Sequence, residues 1–110
     1  MIRGTTPTHT FSLPFNVPSN AKIRVVYSQK DTVLIEKTIK DCSIKDNEIS
    51  VTLTSDETLR FGCHREFYKG VLQVQPVEIQ IGIETADGVK MWSNIIQTDI
   101  DRCLKEDGVI

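Results

Sequence analysis

Residues 48–54 read Glu-Ile-Ser-Val-Thr-Leu-Thr, and this stretch decides the fold class. Apolar and polar side chains alternate along it, because Ile49, Val51 and Leu53 occupy every second position. Successive side chains of a β-strand point to opposite faces, so a period of two indicates a strand with one buried and one exposed face. The stretch therefore predicts a half-buried β-strand.

The residues after this strand predict a short helical turn. Thr54-Ser55-Asp56-Glu57 forms a capping box, in which the Thr54 hydroxyl accepts a bond from the Glu57 amide and the Glu57 carboxylate reaches back to the Thr54 amide. Gly62 is a natural stop, so the span permits about two turns. A strand followed by one capped turn is common in immunoglobulin-like sandwiches, where the turn crosses between sheets.

The same two-residue period recurs on both sides of this region. It predicts strands over residues 9–17, 22–29, 33–40 and 71–85, with a further strand returning over 90–100. Pro76 marks a bulge or the true start of its strand, with Leu72 and Val74 in an extension. Asp87-Gly88 is the strongest hairpin signal, because these residues supply the positive φ of a tight turn.

Composition supports a β-protein. Val, Ile and Thr supply 34 of the 110 residues and Ala and Leu only 8, and branching at Cβ suits a pleated surface better than a helix. Without crossover helices, parallel βαβ units are excluded. We predict an all-β fold, a two-sheet antiparallel immunoglobulin-like β-sandwich with one short capped helical turn. A small closed barrel is the alternative.

Length and charge limit the organisation and the function classes. The 110 residues predict a single domain over 1–110, with a flexible lead-in over 1–7 and a tail over 101–110. The formal net charge of −2 argues against a nucleic-acid binder or a polybasic membrane-surface module. No apolar stretch approaches the ~20 residues of a membrane helix, and the first residues resemble no secretory signal.

The cysteines support neither a disulfide framework nor a metal site. Cys42, Cys63 and Cys103 are an odd number and contain no CxxC pair. Two of them could pair, which their spacing does not decide, and we interpret all three as small apolar side chains in a reducing compartment. We predict no metal site and no cofactor, because no His or Cys pair has a suitable spacing. Asp99 and Asp101 share a strand face and could hold a hard cation, but we interpret them as a solvated edge.

Catalysis is not predicted either. Cys63 and His64 are adjacent, and adjacent side chains on an extended chain point to opposite faces. The only other histidine is His9. We therefore expect that the protein is not an enzyme.

Residues 62–70 form the stretch whose composition indicates binding. They read Gly-Cys-His-Arg-Glu-Phe-Tyr-Lys-Gly, and loops that carry aromatic residues and arginine often concentrate binding energy. The alternative is that Phe67 plugs the open end of the sandwich. The predicted partner-binding residues are His64, Arg65, Phe67, Tyr68 and Lys69.

Two further apolar features have a packing interpretation. We expect Trp92 to be a core or half-buried residue, because a single Trp in a small β-domain usually packs. Ile95, Ile96 and Ile100 are either ordinary core or the apolar face of a homo-oligomer.

Five stretches carry a family resemblance: residues 1–11, 23–29, 51–54 with Glu57-Thr58, 77–80 and 101–104. They resemble small uncharacterised proteins encoded by bacteriophages and prophages of Firmicutes. In character these proteins are similar to the β-sandwich domain at the amino end of phage baseplate upper proteins.

This resemblance implies a phage structural or assembly module that binds another virion protein or itself without catalysis. The expected location is the host cytoplasm during assembly, with the virion as a second location. A small intracellular inhibitor or adaptor of a host protein is the alternative function.

Overall fold

The computed structural model describes residues 1–63, 65–105 and 109–110, and for 65–68 and 71–74 it describes the backbone. Within these residues the chain forms ten strands, a 3-10 turn (Ile39–Asp41) and a single-turn helix, α1 (Ser55–Thr58). The strands are β1 (Thr8–Ser12), β2 (Lys22–Gln29), β3 (Thr32–Thr38), β4 (Cys42–Lys45), β5 (Glu48–Thr52), β6 (Arg65–Tyr68), β7 (Val71–Val74), β8 (Val77–Glu84), β9 (Lys90–Trp92) and β10 (Ile96–Thr98).

The strands form two main sheets and a separate hairpin, and all pairings are antiparallel. The three-stranded sheet has the order β1-β5-β4, and the five-stranded sheet has the order β10-β8-β2-β3, with β9 also paired to β8. β6 and β7 pair with each other as a two-stranded sheet. The all-β, sandwich-like prediction is therefore confirmed.

The core lies between the two main sheets, and both contribute side chains to it. Ile49 and Val51 on β5 are fully buried, as their alternation predicted, and Tyr27 on β2 faces them from the other layer. Burying one large apolar side chain contributes roughly 1.5–3 kcal/mol, so this cluster dominates the stability. Its members are Phe11, Ala21, Ile23, Val25, Tyr27, Ile35, Ile49, Val51, Leu53, Phe61, Val77, Ile79, Ile81, Ile83 and Ile100.

Helix α1 carries the predicted capping box. The Thr54 Oγ1 accepts a hydrogen bond from the Glu57 amide at 3.2 Å, and Glu57 Oε1 accepts one from the Thr54 amide at 2.9 Å. The same Oε1 accepts a 2.7 Å bond from Lys37 Nζ on β3, and only 13% of each side chain is exposed. One carboxylate thus caps the helix and ties it to the five-stranded sheet.

Residues 1–7, the predicted flexible lead-in, form hydrogen bonds with distant parts of the chain, and their flexibility stays a prediction. Ile2 forms a parallel bridge with Asp101, and the Arg3 amide donates to the Asp101 carbonyl at 2.9 Å. The Gly4 amide donates to Thr58 Oγ1 on α1 at 2.9 Å. These partners are distant in sequence, so local composition gave no sign of them. The predicted tail over 101–110 falls partly outside the described residues, and Leu104 within it is 88% exposed.

Several predicted strands are shorter than their alternation suggested. The strand expected over 9–17 ends at Ser12, two residues before Pro14, which cannot donate to a ladder. The strand expected over 33–40 ends at Thr38, where the 3-10 turn begins. Pro76 separates β7 from β8, so 71–74 belong to the hairpin rather than to an extension of β8.

Candidate functional site

The predicted binding loop is a β-hairpin. Arg65, Phe67 and Tyr68 lie on β6, and Lys69 is exposed in the turn that leads to β7. Lys69 and Gly70 have φ values of 51° and 80°, and positive φ at both central residues matches the turn to the twist of the strands. His64 lies outside the described residues. The structure corrects the loop to a hairpin, and the binding role of these residues stays a prediction.

Gln29, at the end of β2, holds both ends of this hairpin segment. Its side chain is buried, with 4% of the residue exposed. Its Oε1 accepts from the Gly62 amide at 2.8 Å, while Nε2 donates to the carbonyls of Gly62 at 2.6 Å and Gln75 at 3.1 Å. The alternation of 22–29 places Gln29 on the buried face, and this was the one sequence signal for the anchor.

Trp92 lies on the outer face of the five-stranded sheet with 56% of its surface exposed, so of the two expected placements, core or half-buried, the core placement is wrong. It stands directly across the ladder from Gly82 on β8. A Cβ at position 82 would lie 2.6–2.7 Å from three atoms of the indole ring. The ring therefore lies over the Gly82 backbone, in the space that a side chain there would fill. An aromatic residue often covers a strand glycine in this way.

A groove of about 290 Å³ runs beside the indole. Strand register places Lys22, Glu84 and Lys90 in one row across β2, β8 and β9. The next row contains Arg24, Gly82 and Trp92. The groove therefore combines an aromatic wall with three cationic side chains and one carboxylate.

Arg24 has a partner outside this groove. Its Nη1 lies 3.2 Å from Glu36 Oε2, and about half of each side chain is exposed. Exposed pairs of this kind contribute only about 0–1 kcal/mol, so the pair is weak enough to yield to a bound ligand.

Apolar side chains continue from Trp92 in two directions. Across the sheet, Ile95 and Val33 are 56% and 52% exposed, beside a depression of about 160 Å³. Around the β9 edge, Trp92 also lines a cleft of about 300 Å³ together with Phe15 and Met91. We call Trp92, Ile95, Val33 and the groove residues the Trp92 face. Of the three isoleucines considered from sequence, Ile100 belongs to the core, and Ile95 and Ile96 are exposed.

The outer face of the three-stranded sheet has a different character. Six of its outward positions carry hydroxyl side chains, and we call them the hydroxyl face: Thr8, Thr10, Ser12, Ser43, Ser50 and Thr52. Thr8 Oγ1 lies 2.7 Å from Thr52 Oγ1, and Thr10 Oγ1 lies 2.9 Å from Ser50 Oγ. These hydroxyls bond to each other across the ladder.

A polar pair joins the two sheets inside the sandwich. His9 Nδ1 on β1 lies 2.8 Å from the Tyr27 hydroxyl on β2. Burial lowers the pKa of His9, and the N-terminal charge lowers it further. Burial also raises the pKa of the Tyr27 phenol, so both groups are neutral at pH 7. His9 thus serves as a link between the sheets.

The described residues assign no metal or redox chemistry. In this part of the chain, no three or more His, Cys, Asp and Glu side chains lie together where they could hold a metal ion. Cys42, Cys63 and Cys103 are free thiols of intermediate exposure. Cys42 Sγ donates to the Thr38 carbonyl at 3.3 Å, and burial raises the pKa of its thiol.

No protein-family model, curated protein or solved structure matches this chain. The resemblance to phage and prophage proteins therefore stays a prediction. Among the described residues, no helix has the length and apolar character needed to cross a membrane.

Proposed function

We propose that this chain is a non-catalytic protein-binding module of a phage structural or assembly complex. Its contact surface in this proposal is the Trp92 face. The partner is another virion protein or a second copy of the chain.

The observation that carries the proposal is the exposed indole of Trp92, held over Gly82 on the outside of the sheet. An exposed indole on a sheet face that also exposes Ile95 and Val33 is costly in water unless a partner covers it. Tryptophan is also among the residues that most often dominate the binding energy of protein interfaces.

The packing of the Trp92 ring against the Gly82 backbone supports a role of this ring in binding. Because the ring is packed against the sheet, it has lost part of its rotamer freedom before any partner arrives. Binding then costs less side-chain entropy, which is about 0.5–1.5 kcal/mol for each side chain immobilised. The sheet is a rigid platform for such a contact.

The phage setting is supported by the sequence resemblance. The predicted hairpin residues Arg65, Phe67, Tyr68 and Lys69 offer a second contact region. The hairpin pairs with neither main sheet.

The experiment is mass spectrometry of purified virions and assembly intermediates of a phage that encodes this chain. We expect the wild-type chain in one of these particles at a fixed copy number. We expect Trp92→Ala to lower its incorporation about tenfold, which corresponds to about 1.4 kcal/mol of binding energy. Thr10→Ala on the hydroxyl face is the matched control and should leave incorporation unchanged.

Absence of the wild-type chain from virions and intermediates would contradict the structural role. A single host protein that copurifies in stoichiometric amount would instead favour the host inhibitor or adaptor. Equal effects of Trp92→Ala and Thr10→Ala would show that the Trp92 face is not the contact surface.

A further inference from the structure

We propose that the groove beside Trp92 binds an extended acidic peptide segment of a partner protein, with a large apolar residue next to its carboxylates. This inference rests on the proposed protein-binding function and names the chemistry of the partner. The apolar residue would pack on the indole, and the carboxylates would lie among Lys22, Arg24 and Lys90.

The size of the groove suits a short segment. Pockets that enclose drug-sized ligands usually have volumes of about 300–1,000 Å³. At about 290 Å³ and open to the outside of the sheet, this groove has room for a few side chains of an extended chain. Its aromatic wall supplies the apolar contact.

The net positive charge of the groove favours a negatively charged segment of the partner. Three cations and one carboxylate line it, on a chain whose formal net charge is −2. Cross-strand neighbours have Cβ atoms about 4.5–5.5 Å apart, so Lys22 and Lys90 flank Glu84 at that spacing. In the described part of the chain neither lysine forms an ion pair. Both are available to an incoming carboxylate.

The sheet edge favours contact through side chains over addition of a strand. Ser93 follows β9, and its Oγ accepts the hydrogen bond of the Ile81 amide at 3.1 Å. The Ser93 carbonyl is occupied by Gln80 Nε2 at 2.9 Å. These bonds hold Ser93 against β8, while β9 ends at Trp92 and β10 begins only at Ile96. Such an interruption of a sheet edge discourages pairing with another strand. A partner segment therefore meets the face of the sheet beside Trp92.

The test is selection of binders to the purified chain from a displayed library of random short peptides. Recovered peptides are then titrated against wild-type protein, Trp92→Ala, the double variant Lys22→Glu with Lys90→Glu, and the control Lys45→Glu. Lys45 is an exposed lysine on β4 of the other sheet, so its reversal changes the net charge without touching the groove. The backbone amide of Gly82 and the indole N–H of Trp92 are followed by NMR.

We expect recovered peptides rich in Asp and Glu beside a large apolar residue. Their affinity should fall about tenfold or more in Trp92→Ala and in the Lys22/Lys90 variant, and it should be unchanged in Lys45→Glu. Higher salt should weaken the binding, because exposed charges are screened. Lys22 and Lys90 are exposed, so the double variant should still fold. The three carboxylates that it places side by side lower its stability, and its unfolding temperature measures that loss.

Three results would overturn the inference: recovery of no peptide, recovery of peptides without acidic bias, or binding that survives reversal of both lysines. Loss of binding in Trp92→Ala alone would overturn the acidic chemistry while leaving the protein-binding function in place. Failure of that function is read separately, from the composition of virions and assembly intermediates.

Discussion

The two outward faces of the sandwich have the same strand geometry and opposite surface chemistry. On the three-stranded sheet, the hydroxyl face pairs threonine and serine side chains with one another. On the five-stranded sheet, Trp92 and its neighbours expose apolar surface to water. Hydroxyls are satisfied by each other and by water, whereas an exposed apolar cluster gains free energy when a partner covers it. This difference is the reason why we propose the Trp92 face as the contact surface.

The largest expected effect is a loss of stability that tests whether the two sheets share one hydrophobic core. Tyr27 is fully buried between the sheets and touches both His9 and Phe61. Tyr27→Ala should lower the free energy of unfolding by about 3–5 kcal/mol, because removing a large buried side chain leaves a cavity. Chemical denaturation followed by circular dichroism measures this.

Thr52→Ala on the hydroxyl face is the control and should change the free energy of unfolding by about 0.5 kcal/mol or less. If Tyr27→Ala does not fold, Tyr27→Phe should still cost about 1 kcal/mol through the lost bond to His9. A Tyr27→Ala cost as small as that of Thr52→Ala would show that the two faces do not share this core.

The second prediction breaks the Trp92 face itself. A side chain at position 82 would occupy the space of the indole, so Gly82→Val should displace the ring and make it more accessible to acrylamide. The lost packing should cost about 1–3 kcal/mol. Trp92 is the single tryptophan of the chain, so its fluorescence reports on this site alone.

Ser50→Val is the matched control, since it is also an outward position in the middle of a strand. It should leave both stability and indole quenching near wild type, because a β-branched residue suits such a site. If acrylamide quenches Gly82→Val no more strongly than wild type, the Trp92 ring does not pack on Gly82.

The third prediction uses pH to weaken the link between the sheets. Burial lowers the pKa of His9, so the folded chain favours the neutral ring. The stability that this contributes is complete above the unfolded pKa of about 6.5 and is lost as pH falls through the lower folded value. Thermal unfolding between pH 7.5 and pH 5 should show this decline at about constant ionic strength.

His9→Asn, which keeps a polar group and does not titrate, should flatten the dependence in this window. Other groups act at lower pH. Partial burial raises the pKa of Glu57, but hydrogen bonds from Lys37 and Thr54 lower it further than burial raises it. The contribution of Glu57 to stability is therefore lost only in more acidic solution. If the stability of His9→Asn declines with falling pH as much as that of wild type, a group other than His9 causes the decline.

The smallest effect on stability should come from making the hydroxyl face apolar. Thr8→Val with Thr52→Val removes one cross-strand hydroxyl pair, and the free energy of unfolding should change by about 0.5 kcal/mol or less. The new apolar patch should instead cause self-association that wild type does not show through this face. Light scattering at increasing concentration measures this, and unchanged molecular mass would show that a patch of this size does not suffice.

The features predicted correctly from sequence depend on neighbouring residues. The alternation of β5, the capping box at Thr54 and Glu57, and the turn at Asp87-Gly88 each involve residues close in the chain. Of the two residues expected to have positive φ in this turn, Gly88 has one of 88° and Asp87 does not. Local physics is sufficient for such elements.

The features that were wrong or missed depend on residues far apart. The position of Trp92 requires Gly82 across the ladder, and that pairing is known only once the register is known. The anchoring of residues 1–7 requires Thr58 and Asp101. In the hairpin, Lys69 adopts positive φ without being glycine, so the turn had only half of its usual signal.

The measurement that tests the account most directly is fluorescence of the wild-type chain, with emission wavelength and acrylamide quenching compared between folded and unfolded protein. We predict red-shifted emission and a quenching constant between that of a buried indole and that of the unfolded chain, because the ring lies on the outside of the sheet with one face against Gly82. Blue-shifted emission with strong protection from acrylamide would place Trp92 in the core and contradict the existence of the Trp92 face.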